Sequence, residues 1–273
     1  MRIIPRQVVD LSCQDITSIV FPGRVKKEDI ARFEKAFAAY IGKPYALVMP
    51  TARLGLACLL EAMEWPQGSE IIVAALNYHV VPYVIQSKGL TPVFVDINSH
   101  TNNIDPDLIE AKITAKTRAV LVTHLFGRAA PAEQIRMICD RFQLFLIEDV
   151  AQACGAERQE HKLGSFGDAA LFSFGQGKIL TTLRGGMVLT DDPIVLQKVK
   201  QCYQQLASSR GVAKESIPFK SVMEWVFTQR LFFALVIYPL LVAADLLNVD
   251  LIDRLSGDCY SPKDARPPVR IKP

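Results

Sequence analysis

The sequence is poor in the features that mark several large classes of protein. Its 273 residues include only six cysteines and two tryptophans. No two cysteines form a CxxC pair, and none stands near histidines at the spacing of zinc ligands, so we expect no metal site. The formal net charge is only +3, which is not the charge balance of a nucleic-acid-binding protein. We therefore expect neither a metal ion nor a nucleic-acid partner.

Long hydrophobic runs are also missing. The N-terminal residues, MRIIPRQVVDLSCQD, reach charges and a proline too early for a signal peptide, which predicts a cytoplasmic protein. An apolar run without charged residues covers residues 231–244 and contains Pro239, which would kink or end a helix. These 14 residues are fewer than the roughly 20 that span a membrane. Three interpretations stay open: a buried core helix, a segment lying on a membrane as a peripheral contact, or a contact surface for a second subunit. The short length of the run favours a buried core helix or a subunit contact over a membrane segment.

What the sequence does contain is a regular alternation of two kinds of segment. Half of its residues are apolar, and runs rich in Val, Ile and Leu alternate with helical patterns, which predicts an α/β fold. Most of these runs are apolar on both faces, so helices should cover the sheet on both sides in three layers, α/β/α. We predict strands at 45–49, 70–74, 92–97, 119–124, 144–149, 169–174 and 186–190, with helices near 26–41, 53–64, 78–88, 105–113, 131–142 and 192–206.

The pattern changes after about residue 215, which divides the chain into three predicted parts. Residues 1–215 form the large domain, and residues 216–260 form a hydrophobic helical segment. Residues 261–273 form a proline-rich tail with four basic residues and one acidic residue. This tail accounts for the whole net charge, so the rest of the chain is neutral.

Two side chains stand where α/β proteins place their chemistry. Asp149 ends a buried strand, at the edge where such sheets bind ligands, although an isolated Asp there could equally cap a helix. Lys178 lies in a loop just after Gly175 and Gly177. A loop lysine is usually a solvated charge, but a desolvated one becomes an amine nucleophile toward carbonyls. The loop does not match a P-loop, because Ile179 stands where that motif requires Ser or Thr.

Two helix starts add further candidates. Thr51 and Ala52 form a turn between a strand and a helix, which leaves backbone N–H groups and a positive dipole end for an anion. Thr51 as a plain helix cap is the simpler interpretation, but Arg53 opposes the helix dipole and therefore favours a phosphate. Tyr78 or His79 follows another strand and could lie over a flat ring, although aromatics at helix starts are more often part of the core.

Taken together, these segments resemble the DegT/DnrJ/EryC1/StrS family of sugar aminotransferases. The similarity runs from about Phe33 to Asp192, and its most specific parts are IEDVAQACGA, KLGSFGDAALFSF, Lys178 and RGGMVLTDD. Each fragment alone is weak, but their order and spacing match the family. The resemblance implies a fold type I large domain with a mostly parallel seven-stranded sheet and pyridoxal 5'-phosphate as the cofactor.

The resemblance also implies roles for individual residues. Lys178 matches the lysine that holds the cofactor covalently and then moves a proton between the substrate carbon and the cofactor. Asp149 matches the carboxylate that pairs with the pyridine nitrogen. The remaining cofactor-binding positions are the phosphate-binding turn with its hydroxyl partner, the aromatic on the ring face, and the side chain near the ring oxygen: Thr51, Ala52, Arg53, Ser173, Tyr78 and Gln152.

The implied reaction moves an amino group from an amino acid, usually glutamate, to a keto sugar, usually nucleotide-linked, in a homodimer. Relatives continue into a C-terminal small domain, most of which we expect this chain to lack, and Arg53 replaces a small hydroxyl residue. Two alternatives therefore stay open. The chain could keep the cofactor pocket but act as a binding or assembly partner, or it could catalyse dehydration, although dehydratase relatives replace the lysine by histidine.

Overall fold

The computed structural model describes residues 27–175, 177–210 and 232–246, together with six isolated positions, Ser12, Gln14, Thr17, Val226, Phe227 and Gln229. The chain falls into two compact units. The larger lies within residues 22–215, and the smaller combines residues 1–21 with 216–273. The predicted tail at 261–273 lies outside the described residues. The division into domains stays a prediction.

The larger unit follows the predicted alternation of helices and strands. Its α-helices are α1 (Lys27–Ile41), α2 (Ala52–Ala62), α3 (Val80–Ser87), α4 (Ala132–Phe142) and α5 (Pro193–Arg210). Its strands are β1 (Tyr45–Met49), β2 (Glu70–Ala74), β3 (Thr91–Val95), β4 (Thr117–Thr123), β5 (Phe145–Asp149), β6 (Glu157–Arg158), β7 (His161–Lys162), β8 (Ala169–Ser173) and β9 (Gly186–Thr190).

Seven of these strands form one sheet in the order β3, β2, β4, β5, β8, β9, β1. The five strands from β3 to β8 pair in parallel, and β9 is antiparallel to both β8 and β1. The prediction of a mostly parallel seven-stranded sheet is confirmed. Because the parallel strands share one direction, their carboxyl ends all meet at the same edge of the sheet.

Helices cover both faces of this sheet, as the apolar strands predicted. One buried cluster joins side chains of α2, α3 and α5 to the sheet, and a second joins those of α4. A third cluster packs Phe37 of α1 against Phe172 of β8, with the ring centroids 5.0 Å apart and the rings nearly perpendicular. Edge-to-face contacts of this kind stabilise aromatic cores beyond the area they bury.

The predicted helix at 105–113 is wrong. The structure has two short 3-10 turns there, Pro106–Leu108 and Glu110–Lys112. The Asp105 side chain accepts a hydrogen bond from the Asp107 N–H at 3.1 Å, which closes a tight turn, and the backbone is already extended at Ile113. Asp side chains compete in this way with regular helical hydrogen bonds, so the helical pattern does not continue.

The short ribbon of β6 and β7 was not predicted. Its strands are antiparallel and only two residues long. They are joined by Gln159 and Glu160, both with positive φ angles, 48° and 65°. This is the backbone of a two-residue hairpin turn, which normally uses Asn and Gly. Without those residues the sequence gives no signal for the turn.

In the smaller unit, the described residues place a helix in the apolar run. A π-helical turn, Phe233–Ile237, leads directly into α6 (Tyr238–Leu246). Pro239 lies just after the π-helical turn, where its missing N–H removes one backbone hydrogen bond of the helix. The helix continues past the proline instead of ending there. Among the described residues, no helix is long and apolar enough to cross a membrane. A peripheral membrane contact through 231–244 stays untested.

A fully buried carboxylate ties the sheet to the loop before β8. Glu148 and His124 are both inaccessible to solvent, and His124 Nε2 lies 3.0 Å from Glu148 Oε2. The Gly164 and Gly167 N–H groups donate to the same carboxylate at 2.9 and 2.7 Å. His124 Nδ1 accepts from the Ala130 N–H at 3.0 Å, so the imidazole is neutral and its proton is on Nε2. Glu148 therefore receives three hydrogen bonds on its two oxygens.

Glu148→Gln should destabilise the fold strongly. An amide has one acceptor oxygen, so its NH2 group would face a donor, and a buried unsatisfied pair of this kind costs about 2–4 kcal/mol. Urea unfolding measures the loss. Glu61→Gln is the matched control, because Glu61 makes an exposed ion pair with Lys88 that contributes at most about 1 kcal/mol. Equal, small losses for both variants would contradict this account.

Candidate active site

The predicted site residues follow strand ends at one edge of the sheet. Asp149 is the last residue of β5 and Ser173 is the last residue of β8. β1 ends at Met49, just before Thr51, and Met49 and Ser173 both pair with Gly186, the first residue of β9. The antiparallel β9 therefore begins where its neighbours end. This arrangement brings the predicted phosphate turn to the same edge as Asp149.

The turn before α2 has the geometry of an anion site. Thr51 is extended, with φ −154° and ψ 154°, and its side chain caps the helix by accepting the Leu54 N–H at 3.1 Å. The first N–H groups of a helix have no partner within it. Gly185 bridges to Thr51 through the backbone, and a Cβ on Gly186 would lie only 2.4 Å from the Ala52 nitrogen. Residue 186 must therefore be glycine for β9 to approach this turn.

Arg53 places a positive charge in the first turn of the same helix. Its side chain is exposed, and the part of the chain that the structure describes gives it no acidic partner. A cation at this end of a helix is repelled by the helix dipole. A bound phosphate would reverse that unfavourable interaction.

Asp149 is a buried acid with few partners. It is 9% exposed, and its Oδ1 accepts the Ala151 N–H at 3.0 Å. Burial raises the pKa of the Asp149 carboxyl, and the Ala151 hydrogen bond and the charge of Lys178 only partly offset this rise. A cationic group beside Asp149 would therefore favour its charged form.

The Lys178 amine lies close enough to act electrostatically on Asp149. The backbone N–H of Lys178 donates to the Gly175 carbonyl at 3.2 Å, which closes the loop after β8 into a turn. The side chain is partly buried, whereas the next residue, Ile179, is 68% exposed. Gln176 lies outside the described residues. The structure thus brings together Lys178 and Asp149, the two residues predicted to be catalytic.

Gln152 and Tyr78 complete the predicted set. Gln152 Oε1 accepts the Phe126 N–H at 3.1 Å, which leaves the amide NH2 group free to donate to a ligand. Tyr78 is 52% exposed, and its N–H donates to Asn77 Oδ1 at 2.7 Å. Its ring lies 4.6 Å from that of His79. An exposed aromatic at this edge can pack on a flat ligand.

The sequence reasoning missed two polar contacts that support this edge. The backbone N–H of His124 donates to the backbone carbonyl of Asp149 at 3.0 Å. This hydrogen bond couples the Glu148 network to Asp149. The Asn77 amide donates to Thr123 Oγ1 at 3.1 Å and so joins the ends of β2 and β4. The available signal was a polar residue at each strand end, in VTH and ALN.

A family model matches residues 23–223 of this chain: the DegT/DnrJ/EryC1/StrS aminotransferase family. The chain belongs to this family. The resemblance stated from the motifs is therefore confirmed, and pyridoxal phosphate is the cofactor that goes with this family.

Curated relatives in this aminotransferase family are between a third and two fifths identical to the chain over the aligned residues. A GDP-perosamine synthase of Caulobacter vibrioides is 39% identical over 190 residues, which are 70% of this chain and 50% of that protein. The spore coat polysaccharide biosynthesis protein SpsC of Bacillus subtilis is 35% identical over 188 residues, covering 68% and 48%. The chain spans about half the length of these relatives.

Solved structures have the same fold. PseC of Helicobacter pylori, an aminotransferase involved in the biosynthesis of pseudoaminic acid, superposes with a TM-score of 0.69 at 27% identity, covering 78% of this chain and 57% of that one. An E. coli GDP-4-keto-6-deoxy-D-mannose-3-dehydratase with bound hydrated pyridoxal phosphate gives 0.66 at 26% identity, covering 71% and 53%. The fold type I prediction is confirmed.

Gly186→Ala should weaken the binding of pyridoxal phosphate about tenfold or more. The new methyl group would collide with the Ala52 backbone and displace the phosphate turn, and one displaced charge-assisted hydrogen bond already costs about 1.5 kcal/mol. A titration followed by visible absorbance measures the affinity. Gly68→Ala is the control for general destabilisation, because its φ of 77° strains an alanine although nothing lies within 4 Å of the added Cβ. Its turn precedes β2, away from the phosphate turn, so the cofactor affinity should not change. Unchanged affinity in Gly186→Ala would contradict the assignment of the turn.

Asp149→Asn should stabilise the cofactor-free protein at neutral pH. The raised pKa of Asp149 means that the folded state holds its proton more tightly than the unfolded state. Stability is therefore lost as the pH rises above the ordinary value of 3.8. Asparagine keeps the oxygen that accepts from Ala151 and carries no charge. The advantage should be present at pH 7 and disappear as the pH falls toward 3.8.

Chemical denaturation of both proteins between pH 4 and pH 8 checks this expectation. Asp107→Asn, at an exposed site, controls for the loss of one negative charge. Wild type and Asp149→Asn proteins of equal stability at pH 7 would show that burial does not penalise this carboxylate.

Proposed function

We propose that this protein is a pyridoxal phosphate-dependent aminotransferase that moves an amino group from an amino acid, glutamate being the expected donor, to a keto sugar. The observation that carries the proposal is the juxtaposition of Lys178 with the buried Asp149 at the strand edge that also holds the phosphate turn. The relatives named GDP-perosamine synthase and SpsC support a nucleotide-linked sugar destined for a polysaccharide.

The residues of the site fit the chemistry of this cofactor. The buried Asp149 carboxylate is destabilised by its surroundings and would be stabilised by a protonated pyridine nitrogen. The turn at Thr51 and Ala52 offers backbone N–H groups to the phosphate, and Arg53 offers a positive charge. A carboxylate, an anion site and an amine therefore match the three chemically distinct parts of one molecule.

Each remaining side chain has a role that its contacts allow. Gln152 would donate an amide N–H to the ring oxygen, because its own oxygen already accepts the Phe126 N–H. Tyr78 would pack on the ring face and exclude water from it. Ser173, at the end of β8, would add a hydroxyl donor to the phosphate turn. These contacts orient a flat, charged ligand before any reaction takes place.

Lys178 carries the proton transfer. When bound, the cofactor supplies an electron sink that stabilises negative charge on the substrate carbon next to nitrogen. The Nζ atom of Lys178 would hold the cofactor and, when free, would be the amine that moves a proton to and from the substrate carbon. The Asp149 carboxylate would pair with the pyridine nitrogen and favour its protonated form.

We extend the proposal to a cytoplasmic homodimer. Family membership supports the dimer, and the apolar side chains of Leu76 and Ile179, exposed at the edge of the site, are suited to contact with a second subunit. Sedimentation velocity on the purified chain separates dimer from monomer.

Dehydration and a purely binding role are the alternatives to amino-group transfer. Lys178 favours transfer over dehydration, and product analysis without an amino donor would distinguish the two.

Lys178→Ala should abolish the yellow colour that pyridoxal phosphate gives the protein. The substitution removes the only amine placed beside Asp149 among the described residues, so the visible band of the lysine-bound cofactor cannot form. Absorbance after reconstitution and dialysis measures this, and added glutamate should bleach the band in the wild type alone. Lys116→Ala, which removes an exposed lysine, should stay yellow. A wild-type protein that remains colourless with added cofactor would sink the proposal.

A further inference from the structure

Phe126 is an exposed aromatic held in an unfavourable backbone conformation. Its φ and ψ angles are 55° and 30°, in the left-handed region, and its side chain is 65% exposed. This conformation costs a bulky residue on the order of 1–2 kcal/mol. Glycine or asparagine would adopt it more easily, and a polar residue would be better suited to water. The position thus carries two unfavourable features at once.

The surroundings fix Phe126 in place. Its N–H donates to Gln152 Oε1 at 3.1 Å, and the preceding N–H, that of Leu125, donates to Asn103 Oδ1 at 3.0 Å. Leu125 and Asn103 are both buried. The Arg128 N–H closes the turn on the Leu125 carbonyl at 2.9 Å. The strained turn is therefore a rigid part of the fold, and it determines where the aromatic ring is displayed.

That place is the rim of the active site. Phe126 follows β4 at the carboxyl edge of the sheet, and it hydrogen-bonds to Gln152, which the proposed function places beside the cofactor ring. Tyr78 follows β2, the neighbouring strand, and the Asn77–Thr123 hydrogen bond joins the two strand ends. Two exposed aromatics therefore leave adjacent strands. Only Tyr78 has a role in the mechanism derived above.

We propose that Phe126 contacts the acceptor, with its ring packed on the nucleobase or on the C–H face of the sugar of a nucleotide-linked substrate. The inference rests on the proposed function and names a specificity residue for it. An aromatic face suits both ligand surfaces, because each is flat and weakly polar. Strain and exposure persist in the ligand-free fold because the contact they prepare forms only when the acceptor binds.

Phe126→Trp provides a direct probe of this contact. The indole replaces one aromatic ring by another, and its fluorescence should be quenched on titration with at least one of GDP-mannose, UDP-N-acetylglucosamine and dTDP-glucose. Phe142→Trp is the matched control. Phe142 is 40% exposed and ends α4 at the opposite edge of the sheet, because β5 begins just after it, so its fluorescence should not change.

Phe126→Ala should lower the affinity for the quenching nucleotide sugar about threefold to tenfold, the range expected for the loss of one aromatic contact. It should leave the bleaching of the cofactor band by glutamate within about twofold of wild type, because glutamate is too small to need the ring. Phe142→Ala should change neither quantity. A residue with only a structural role would not be expected to change the affinity for the acceptor while leaving the reaction with the donor unaltered.

The outcomes separate the two levels of the proposal. If none of the three nucleotide sugars quenches Phe126→Trp more than Phe142→Trp, the role of Phe126 is overturned. Loss of self-association in Phe126→Ala, with unchanged nucleotide-sugar affinity, would also overturn it by making Phe126 a subunit contact. If wild-type protein binds the cofactor but glutamate fails to bleach it, the proposed function fails, whatever the fluorescence shows.

Discussion

The site depends on one buried carboxylate, Glu148. Its two oxygens accept hydrogen bonds from Gly164 and Gly167, in the loop before β8, and from the neutral imidazole of His124, just after β4. Removing this carboxylate would leave buried donors without acceptors, which costs more than losing an exposed interaction. The carbonyl of Gly167 also accepts a hydrogen bond from the buried amine of Lys43. A positive and a negative side chain thus fix the loop before β8 from both sides.

The next residue along the strand uses its burial differently. Three hydrogen bonds compensate the burial of the Glu148 carboxylate. Asp149 accepts only one hydrogen bond on its side chain, and its pKa is raised. Adjacent residues on a strand face opposite sides of the sheet. Glu148 therefore stabilises the fold, whereas Asp149 is available to bind a ligand. The stability lost at Asp149 in the cofactor-free protein is recovered when a cation binds there. Proteins commonly trade stability for function in this way at their active sites.

The sheet and the main residues of the site could be predicted from the sequence because their signals are local. Apolar runs of five or six residues mark the strands, and a polar residue after such a run, such as Asp149 or Thr51, marks the edge where ligands bind. The motifs around Lys178 then supplied the family. The assignment of individual roles still rests on that resemblance and on chemistry, and it stays a proposal.

Other features could not be predicted because they depend on contacts between distant residues. The need for glycine at 186 comes from the backbone at Ala52, more than a hundred residues away in sequence. The tautomer of His124 is set by Ala130 and Glu148 together. The left-handed conformation of Phe126 contradicts its own propensity and is imposed by Gln152 and Asn103. The helix expected at 105–113 failed because a side-chain hydrogen bond at Asp105 closed a turn first.

The central claim is that Lys178 holds pyridoxal phosphate against Asp149. The most direct test is to reduce the reconstituted protein with sodium borohydride, digest it, and locate the modified lysine by mass spectrometry. The account predicts a phosphopyridoxyl group on Lys178 in the wild type and a clearly lower yield in Asp149→Ala, which lacks the partner of the pyridine nitrogen. Modification of a different lysine, or equal modification of Lys178 without Asp149, would contradict it.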